Sequence, residues 1–216
     1  MTQILLAHPD FYAVNKAAGI GMHQEGSEAG LVRVLSEQLG DALYPVHRLD
    51  KMTTGVLLLA RSPEANRELS RQFAERATEK TYLALSDRKP AKKQGWVKGD
   101  MEKARRGSWK LTRTQHNPAV SRFYSHSLAQ GLRAFAIYPL TGKTHQIRVA
   151  LKSIGCPILG DARYGGTPAD RGYLHAWRLA FRHGGEDFQL QAPLVEGALF
   201  IEHGPAMESW AAQLAP

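Results

Sequence analysis

An uninterrupted apolar run at residues 56–60, directly after a charged cluster at residues 47–51, constrains the fold more than any other feature of the sequence. Five consecutive aliphatic residues, preceded by Thr-Thr-Gly and followed closely by Ser-Pro, are typical of a buried β-strand. Such a strand needs a core that covers both of its faces. A chain of 216 residues can build that core without a metal or disulfide.

The elements around this strand are mixed irregularly rather than in a repeating strand–helix order. Ser62 and Pro63 predict a helix start, since serine caps a first turn and proline fits its first position. A second helix is predicted over residues 144–154, with Gly155 as its terminator. The remaining predictions are strands within 3–15, 81–85 and 133–138, an extended hairpin within 95–113, and a closing helix over 205–214. This order predicts an α+β fold with a mixed, mostly antiparallel sheet flanked by helices.

The positive charge is concentrated in one segment. The chain has 28 Lys plus Arg and 20 Asp plus Glu, a formal charge of +8, and residues 88–113 contain ten of the bases and two of the acids. The rest of the chain is therefore neutral. Trp96 and Trp109 lie within this basic segment, and flat aromatics among cations are typical of a surface that binds nucleic acid. A solvated basic loop is the alternative interpretation.

Several functional classes are excluded by missing motifs. Gly142-Lys143-Thr144 resembles the end of a phosphate-binding loop, but Ile137 stands where that motif needs glycine. The histidines show no metal-ligand spacing, and no serine lies in a G-x-S-x-G context. We expect no metal, no nucleotide cofactor and no serine-hydrolase triad. With no secretory signal, no membrane-length apolar run and one cysteine, Cys156, we expect a soluble cytoplasmic protein in which Cys156 serves packing.

The charged cluster before the strand is the candidate catalytic element. It reads His47-Arg48-Leu49-Asp50-Lys51, and charges that enter a core are costly unless they are paired. An aspartate between two cations should stay ionised, which suits a nucleophile or an electrostatic catalyst. A surface turn with a solvated ion pair is the alternative that spacing alone leaves open.

Five blocks of the sequence resemble the RluA family of pseudouridine synthases. HRLDKMTTGVLLLA at 47–60 resembles the family's H-R-L-D-x-x-T-S-G signature, and VNKAAGIGMH at 14–23 resembles its opening block. KTYLAL at 80–85, the segment 139–165 containing GKTHQIRVA, and LHAWRLAF at 174–181 follow in the family's order. Departures are mild: Ala17 replaces a usual proline, Thr54 a usual serine, and Lys143 a usual arginine, which keeps charge but loses the bidentate fork.

The resemblance implies a reaction and roles for particular residues. The family isomerises uridine in RNA by breaking the glycosidic N–C bond, rotating the base and rejoining it through carbon 5. By position, Asp50 matches the catalytic aspartate, Tyr82 the active-site tyrosine, Arg148 the arginine paired with the aspartate, and Arg48 an arginine that holds the target nucleotide. Substrate contacts are further expected at His47, Lys143 and His145, and from the basic segment at Lys103, Arg105 and Arg106.

The same resemblance implies the organisation of the molecule. We expect one catalytic domain over residues 1–216 with a central cleft, no added N-terminal RNA-binding domain, and RNA binding by residues 88–113. Ribosomal or transfer RNA is the expected partner, and a monomer without cofactor the expected state. The alternatives are a non-catalytic RNA-binding or ribosome-assembly protein on the same scaffold and, more distantly, a metal-free glycosidase, which would need a second catalytic acid near Asp50.

Overall fold

The computed structural model describes residues 2–24 and 29–215, which form two compact units: Met1–Glu79 with Ala176–Pro193, and Lys80–His175 with Leu194–Pro216. Each unit combines β-strands with helices, so the predicted α+β class is confirmed. The elements in chain order are β1 Gln3–Ala7, β2 Phe11–Lys16, α1 Leu31–Leu39, β3 Tyr44–Pro45, β4 Thr54–Ala60, α2 Pro63–Ala74, β5 Glu79–Ser86, β6 Gln94–Gly99, β7 Met101–Lys103, β8 Trp109–Leu111, β9 Ala119–Ala129, β10 Leu132–Pro139, α3 Gln146–Ser153, β11 Leu174–His183, β12 Glu186–Gln191 and α4 Ala198–Ala211.

The first unit is built around β4, the strand predicted from the apolar run. Strand order here is β1-β2-β4-β11, with β3 also paired to β4 and β12 paired to β11. The pairings β1–β2, β2–β4, β3–β4 and β11–β12 are antiparallel. Every residue of β4 is buried, and Leu58, Phe11 and Phe181 belong to one hydrophobic cluster. Burial on both faces explains why this strand shows no polar alternation.

Helix α2 begins as the sequence predicts. Ser62 Oγ accepts the Ala65 N–H at 3.1 Å, and Pro63 is the first helical residue. Ala65 and Leu69 of this helix are buried in the hydrophobic cluster, and Phe73 packs against it. The serine cap satisfies one of the free N–H groups of the first turn and contributes about 1 kcal/mol.

The second unit contains an antiparallel sheet in the order β5-β10-β9-β6 and a separate β7–β8 hairpin. Strand β10 lies in the middle, and Ala134, Phe135 and Ala136 are fully buried. The predicted strand that ends at Pro139 is confirmed. The basic segment is β6 followed by the short β7–β8 hairpin, rather than one long hairpin over residues 95–113.

Helix α4, strand β9 and helix α1 were not predicted at their observed positions. The closing helix α4 begins at Ala198 instead of near residue 205, and Pro205 lies inside it. Its first N–H groups are satisfied from a distant loop, because Asp170 Oδ2 accepts the Ala198 N–H at 3.0 Å and the Tyr173 hydroxyl accepts the Leu199 N–H. Strand β9 was missed because two of its inward residues are the buried polar Ser121 and Ser125. Helix α1 was also missed.

No helix among the described residues is long and apolar enough to cross a membrane.

The single cysteine, Cys156, is fully buried, and its Sγ donates to the Arg88 carbonyl oxygen at 3.4 Å. Burial raises the pKa of this thiol to about 11. We therefore expect no reaction of the folded protein with an aromatic disulfide reagent at pH 8, and rapid reaction of one thiol after unfolding in urea. Because the raised pKa favours the neutral thiol, its contribution to stability is present below about pH 9 and is lost as the pH rises towards 11. Rapid labelling of the folded protein would contradict this.

Candidate active site

The Asp50 turn, residues 46–53, joins β3 to β4 in the first unit. Asp50 is half-buried at the head of the buried strand, and its carbonyl accepts the Thr53 N–H at 2.9 Å. Gly55 follows with φ +111°, and a Cβ there would lie 2.2 Å from the Ala176 carbonyl oxygen. Only glycine fits this conformation and this close approach. The Thr-Thr-Gly sequence therefore fixes where the chain leaves the turn and enters the sheet.

The turn is anchored by a buried lysine that sequence analysis did not single out. Lys16, at the end of β2, is 0% exposed, and its Nζ donates to the Ala17 carbonyl at 2.8 Å and to the Lys51 carbonyl at 3.3 Å. The Gly19 N–H also donates to the Lys51 carbonyl, at 2.8 Å. These hydrogen bonds join residues 14–23 to residues 47–60 directly beside Asp50. Both segments are among those that resemble the family.

His47 and Arg48 occupy different environments within the turn. His47 Nε2 accepts the Leu58 N–H at 3.2 Å, and its ring stacks on Phe73 with centroids 4.4 Å apart. These contacts fix the turn against β4 and α2, and a neutral ring that accepts at Nε2 carries its proton on Nδ1. Arg48 is exposed. The expected substrate contact of Arg48 agrees with that exposure and stays a prediction, as does the one at His47.

Tyr82 lies on β5 of the second unit, opposite Ile137 of β10. It is half-buried, whereas the next residues, Leu83, Ala84 and Leu85, are fully buried. A tyrosine that served only the core would be expected at one of those positions. Its partial exposure is compatible with the expected packing against a nucleobase, which stays a prediction.

Arg148 lies on α3 and is 6% exposed, and it forms a buried bidentate ion pair with Asp161. Nε donates to Oδ2 at 2.7 Å and Nη2 donates to Oδ1 at 2.8 Å. This fork fixes the guanidinium plane and compensates the buried charge. The family resemblance predicts Asp50 as the partner of Arg148. Asp161 was not predicted, although it lies within the resembling segment 139–165. The pairing with Asp50 stays a prediction.

Tyr164 connects three parts of the second unit. The tyrosine is 2% exposed. Its hydroxyl lies 2.7 Å from His145 Nδ1 and accepts the Trp109 backbone N–H at 3.0 Å. The Arg148 guanidinium lies 4.9 Å from its ring. If the hydroxyl donates to Nδ1, His145 is neutral and carries its proton on Nε2. His145 and Arg148 therefore both contact Tyr164, His145 through the hydroxyl and Arg148 over the ring.

The side chain of Gln146 holds the loop before α3. Gln146 Oε1 accepts from Thr141 Oγ1 at 2.7 Å and from the Lys143 N–H at 3.0 Å, and Nε2 donates to the Val120 carbonyl and Ser121 Oγ. This buried amide therefore has partners at both ends. Lys143 is half-buried, and its predicted substrate contact stays a prediction.

The exposed tip of the β7–β8 hairpin presents the three cations predicted to bind RNA. Lys103, Arg105 and Arg106 are all exposed, and Arg106 has a left-handed φ of 56°. Arg163 Nη1 donates to the Arg106 carbonyl at 3.0 Å and holds the tip beside the turn that contains Tyr164. The tip is therefore fixed on the same side of the second unit as His145 and Arg148.

A separate cluster of titratable groups lies in the first unit. His8, Asp10 and His183 offer ligand atoms within 4.8 Å of one another. His183 Nε2 donates to Asp10 Oδ2 at 2.8 Å, and this hydrogen bond lowers the pKa of Asp10 from its usual value. The other nitrogen of His183 lies 3.2 Å from Glu68 Oε1, while His8 Nδ1 accepts the Asp10 N–H. These contacts are hydrogen bonds and close approaches among the protein's own side chains, and the absence of a metal stays a prediction.

The predicted residues thus form two groups, each fixed within its own unit. Asp50 and Arg48 lie on the anchored turn of the first unit, whereas Arg148, His145 and the hairpin tip surround Tyr164 in the second. A half-buried carboxylate can stabilise positive charge that develops on a sugar, or attack it. This arrangement is compatible with the RNA-modifying isomerase that the sequence resemblance predicts.

Comparisons with known proteins agree with this class. The sequence profile of the RNA pseudouridylate synthase family matches residues 10–153. The chain is 50% identical over 182 residues to an uncharacterized RNA pseudouridine synthase of Haemophilus influenzae, covering 83% of this chain and 81% of that one. It is 38% identical over 174 residues to a protein of Rickettsia bellii named ribosomal large subunit pseudouridine synthase C, covering 76% and 57% of the two chains. The chain therefore spans little more than half the length of that relative.

Solved structures show the same fold. Human RNA pseudouridylate synthase domain containing 1 aligns with a TM-score of 0.77 at 23% identity, over 97% of this chain and 87% of the other. Human RNA pseudouridylate synthase domain containing 4 aligns with a TM-score of 0.74 at 23% identity, over 95% and 92%. The chain belongs to the RNA pseudouridylate synthase family, a family of isomerases. The predicted family, fold and enzyme class are confirmed.

Proposed function

We propose that this protein converts specific uridines of large-subunit ribosomal RNA to pseudouridine, with Asp50 as the catalytic carboxylate. The observation that carries the proposal is the Asp50 turn, whose backbone is anchored by Lys16 on one side and continues into a fully buried strand on the other. Rigid placement of the reacting group is what such a reaction requires. The choice of ribosomal RNA follows the name of the Rickettsia bellii relative.

The reaction is an isomerisation and needs no co-reactant. The N1–C1′ bond breaks, the base rotates, C5 bonds to C1′, and the hydrogen lost from C5 is balanced by a proton gained at N1. Asp50 would stabilise the positive charge at C1′ or attack the substrate covalently. Tyr82 would pack against the base and receive the C5 proton. Arg148, fixed by Asp161, would hold the negative charge of Asp50 in place.

The test is tritium release from RNA labelled at uridine carbon 5, with unmodified ribosomal and transfer RNA assayed separately. Release from ribosomal RNA is the expected result. Release from transfer RNA alone would overturn the substrate class and leave the chemistry standing. Release from neither pool would overturn the proposal.

The hairpin tip is proposed to bind the phosphate backbone, because its three cations are exposed and held in one place. Replacing Lys103, Arg105 and Arg106 with glutamine should reduce the slope of log affinity against log salt by about 2, since each phosphate contact contributes about 0.7 to 0.9. The slope is measured from RNA binding across a salt series.

A matched control removes the same charge from the first unit. Arg33, Arg67 and Arg71 are exposed on α1 and α2, where each forms a surface ion pair. Their replacement with glutamine should leave the slope close to that of the wild type. Equal slopes for the two triple variants would show that only net charge matters, and would contradict a binding role for the hairpin tip.

A further inference from the structure

The outer face of the β6–β9 strand pair carries an exposed tryptophan among cations. Trp96 is 51% exposed and lies directly opposite Arg122, while Gln94 lies opposite Tyr124. Lys98 follows Trp96 on the same face, because side chains two apart on a strand point the same way. Neither strand contains an acidic residue. The face therefore carries aromatic and cationic side chains and no acidic one.

Cations and rings alternate across this face. Lys98 Nζ lies 5.1 Å from the centre of the Trp96 ring, and the Arg122 guanidinium lies 5.7 Å from it and 4.9 Å from the Tyr124 ring. We name Lys98, Trp96, Arg122 and Tyr124 the Trp96 ladder. Tyr124 is fixed in place, because its hydroxyl donates to the Ala215 carbonyl and its ring packs edge-on against Tyr138. Trp96, between Lys98 and Arg122, is the exposed ring of the ladder.

The structure distinguishes Trp96 from the other tryptophan of the basic segment. Trp109 is half-buried, and its backbone N–H donates to Tyr164, so it anchors the hairpin. Trp96 is the one aromatic among the large exposed apolar side chains of the part of the chain that the structure describes; the others are Ile4, Leu140, Val195 and Ile201. An exposed indole can stack on a nucleobase, and the cations beside it can bind the phosphates on either side of that base.

We propose that the Trp96 ladder is a stacking site for one unpaired base of the RNA substrate, with Lys98 and Arg122 on the adjacent phosphates. The inference rests on the proposed function, because the occupant is the RNA on which the enzyme acts. It adds Arg122 and Tyr124, which lie outside residues 88–113, to the RNA-binding surface. Single-stranded RNA is the form that fits, since a duplex keeps its base faces stacked inside.

The test compares Trp96→Ala and Trp96→Phe in binding a short oligouridylate and an RNA duplex of the same length. Loss of one stacked base should weaken oligouridylate binding about fivefold or more in Trp96→Ala, and Trp96→Phe should retain most of the affinity. Duplex binding should not change. The salt slope should stay the same in Trp96→Ala, whereas Arg122→Gln should reduce it by about 0.7, the value for one phosphate contact of a single strand.

Ile201→Ala is the matched control, because Ile201 is exposed on α4 of the same unit. Unchanged oligouridylate binding in Trp96→Ala, or equal losses for oligouridylate and duplex, would overturn the stacking site. Tritium release separates this outcome from failure of the proposed function. If the wild type releases tritium and Trp96→Ala binds oligouridylate as tightly as the wild type, only the Trp96 ladder is rejected. If binding depends on Trp96 but the wild type releases no tritium, only the proposed function is rejected.

Discussion

An Asp50→Asn variant is expected to fold, to bind RNA like the wild type, and to lose tritium release by about 10⁴-fold or more. Asparagine keeps the size of the side chain and the carbonyl hydrogen bond to the Thr53 N–H, which belongs to the backbone. It removes the negative charge that would stabilise C1′ or form a covalent bond. Loss of a group that acts directly on the reacting atoms costs factors on the order of 10⁴ to 10⁶. Single-turnover release at saturating RNA is the measurement.

Asp41→Asn supplies the control for this variant. Asp41 is another half-buried carboxylate of the first unit, but it accepts from the Tyr12 hydroxyl and pairs with Arg61 at 3.0 Å. Its replacement should lower stability and leave turnover at saturating RNA near that of the wild type. Asp50→Asn turnover within tenfold of the wild type would remove Asp50 from the chemistry and favour the non-catalytic RNA-binding alternative. In that alternative, the cellular role of the protein would survive the substitution.

The buried strand after the Asp50 turn and the start of α2 could be predicted from the sequence because their local patterns are contiguous. The charged turn runs directly into an apolar strand, and α2 has its capping serine at the predicted position. Lys16 could not be found in this way. Its burial becomes favourable only when the carbonyls of Ala17 and Lys51, which lie far apart in the sequence, converge on one amine.

Asp161 and the start of α4 illustrate the same limit. In the sequence, Asp161 is a polar residue between two glycine-containing turns. Only the fold brings it to the guanidinium of Arg148, which lies 13 residues earlier in the chain. Helix α4 receives its N-terminal hydrogen bonds from Asp170 and Tyr173. Because these partners are distant in the sequence, the local pattern placed the predicted start of α4 near Pro205 instead of at Ala198. Hydrophobic periodicity does not predict the tertiary partners of buried polar groups, because it contains no information on which distant residues come into contact.

Breaking the Arg148–Asp161 pair is the stability change with the largest expected effect. Asp161→Leu should lower the free energy of unfolding by about 3 kcal/mol or more, because it leaves the buried guanidinium without its bidentate partner. The exposed pair Arg182–Asp187, with N and O 2.9 Å apart, provides the comparison. Asp187→Leu should cost less than about 1 kcal/mol, since a solvated pair contributes little. Urea unfolding of both variants at pH 7 measures the difference.

The double variant Arg148→Met with Asp161→Leu separates stability from catalysis. The double variant removes both charges of this pair, so it should recover most of the stability lost in Asp161→Leu. Tritium release should not recover, because the guanidinium that is proposed to hold Asp50 is absent. Recovery of both properties would make the pair structural and would remove Arg148 from the active site. Recovery of stability alone would show that the ion pair is retained for the reaction rather than for the fold.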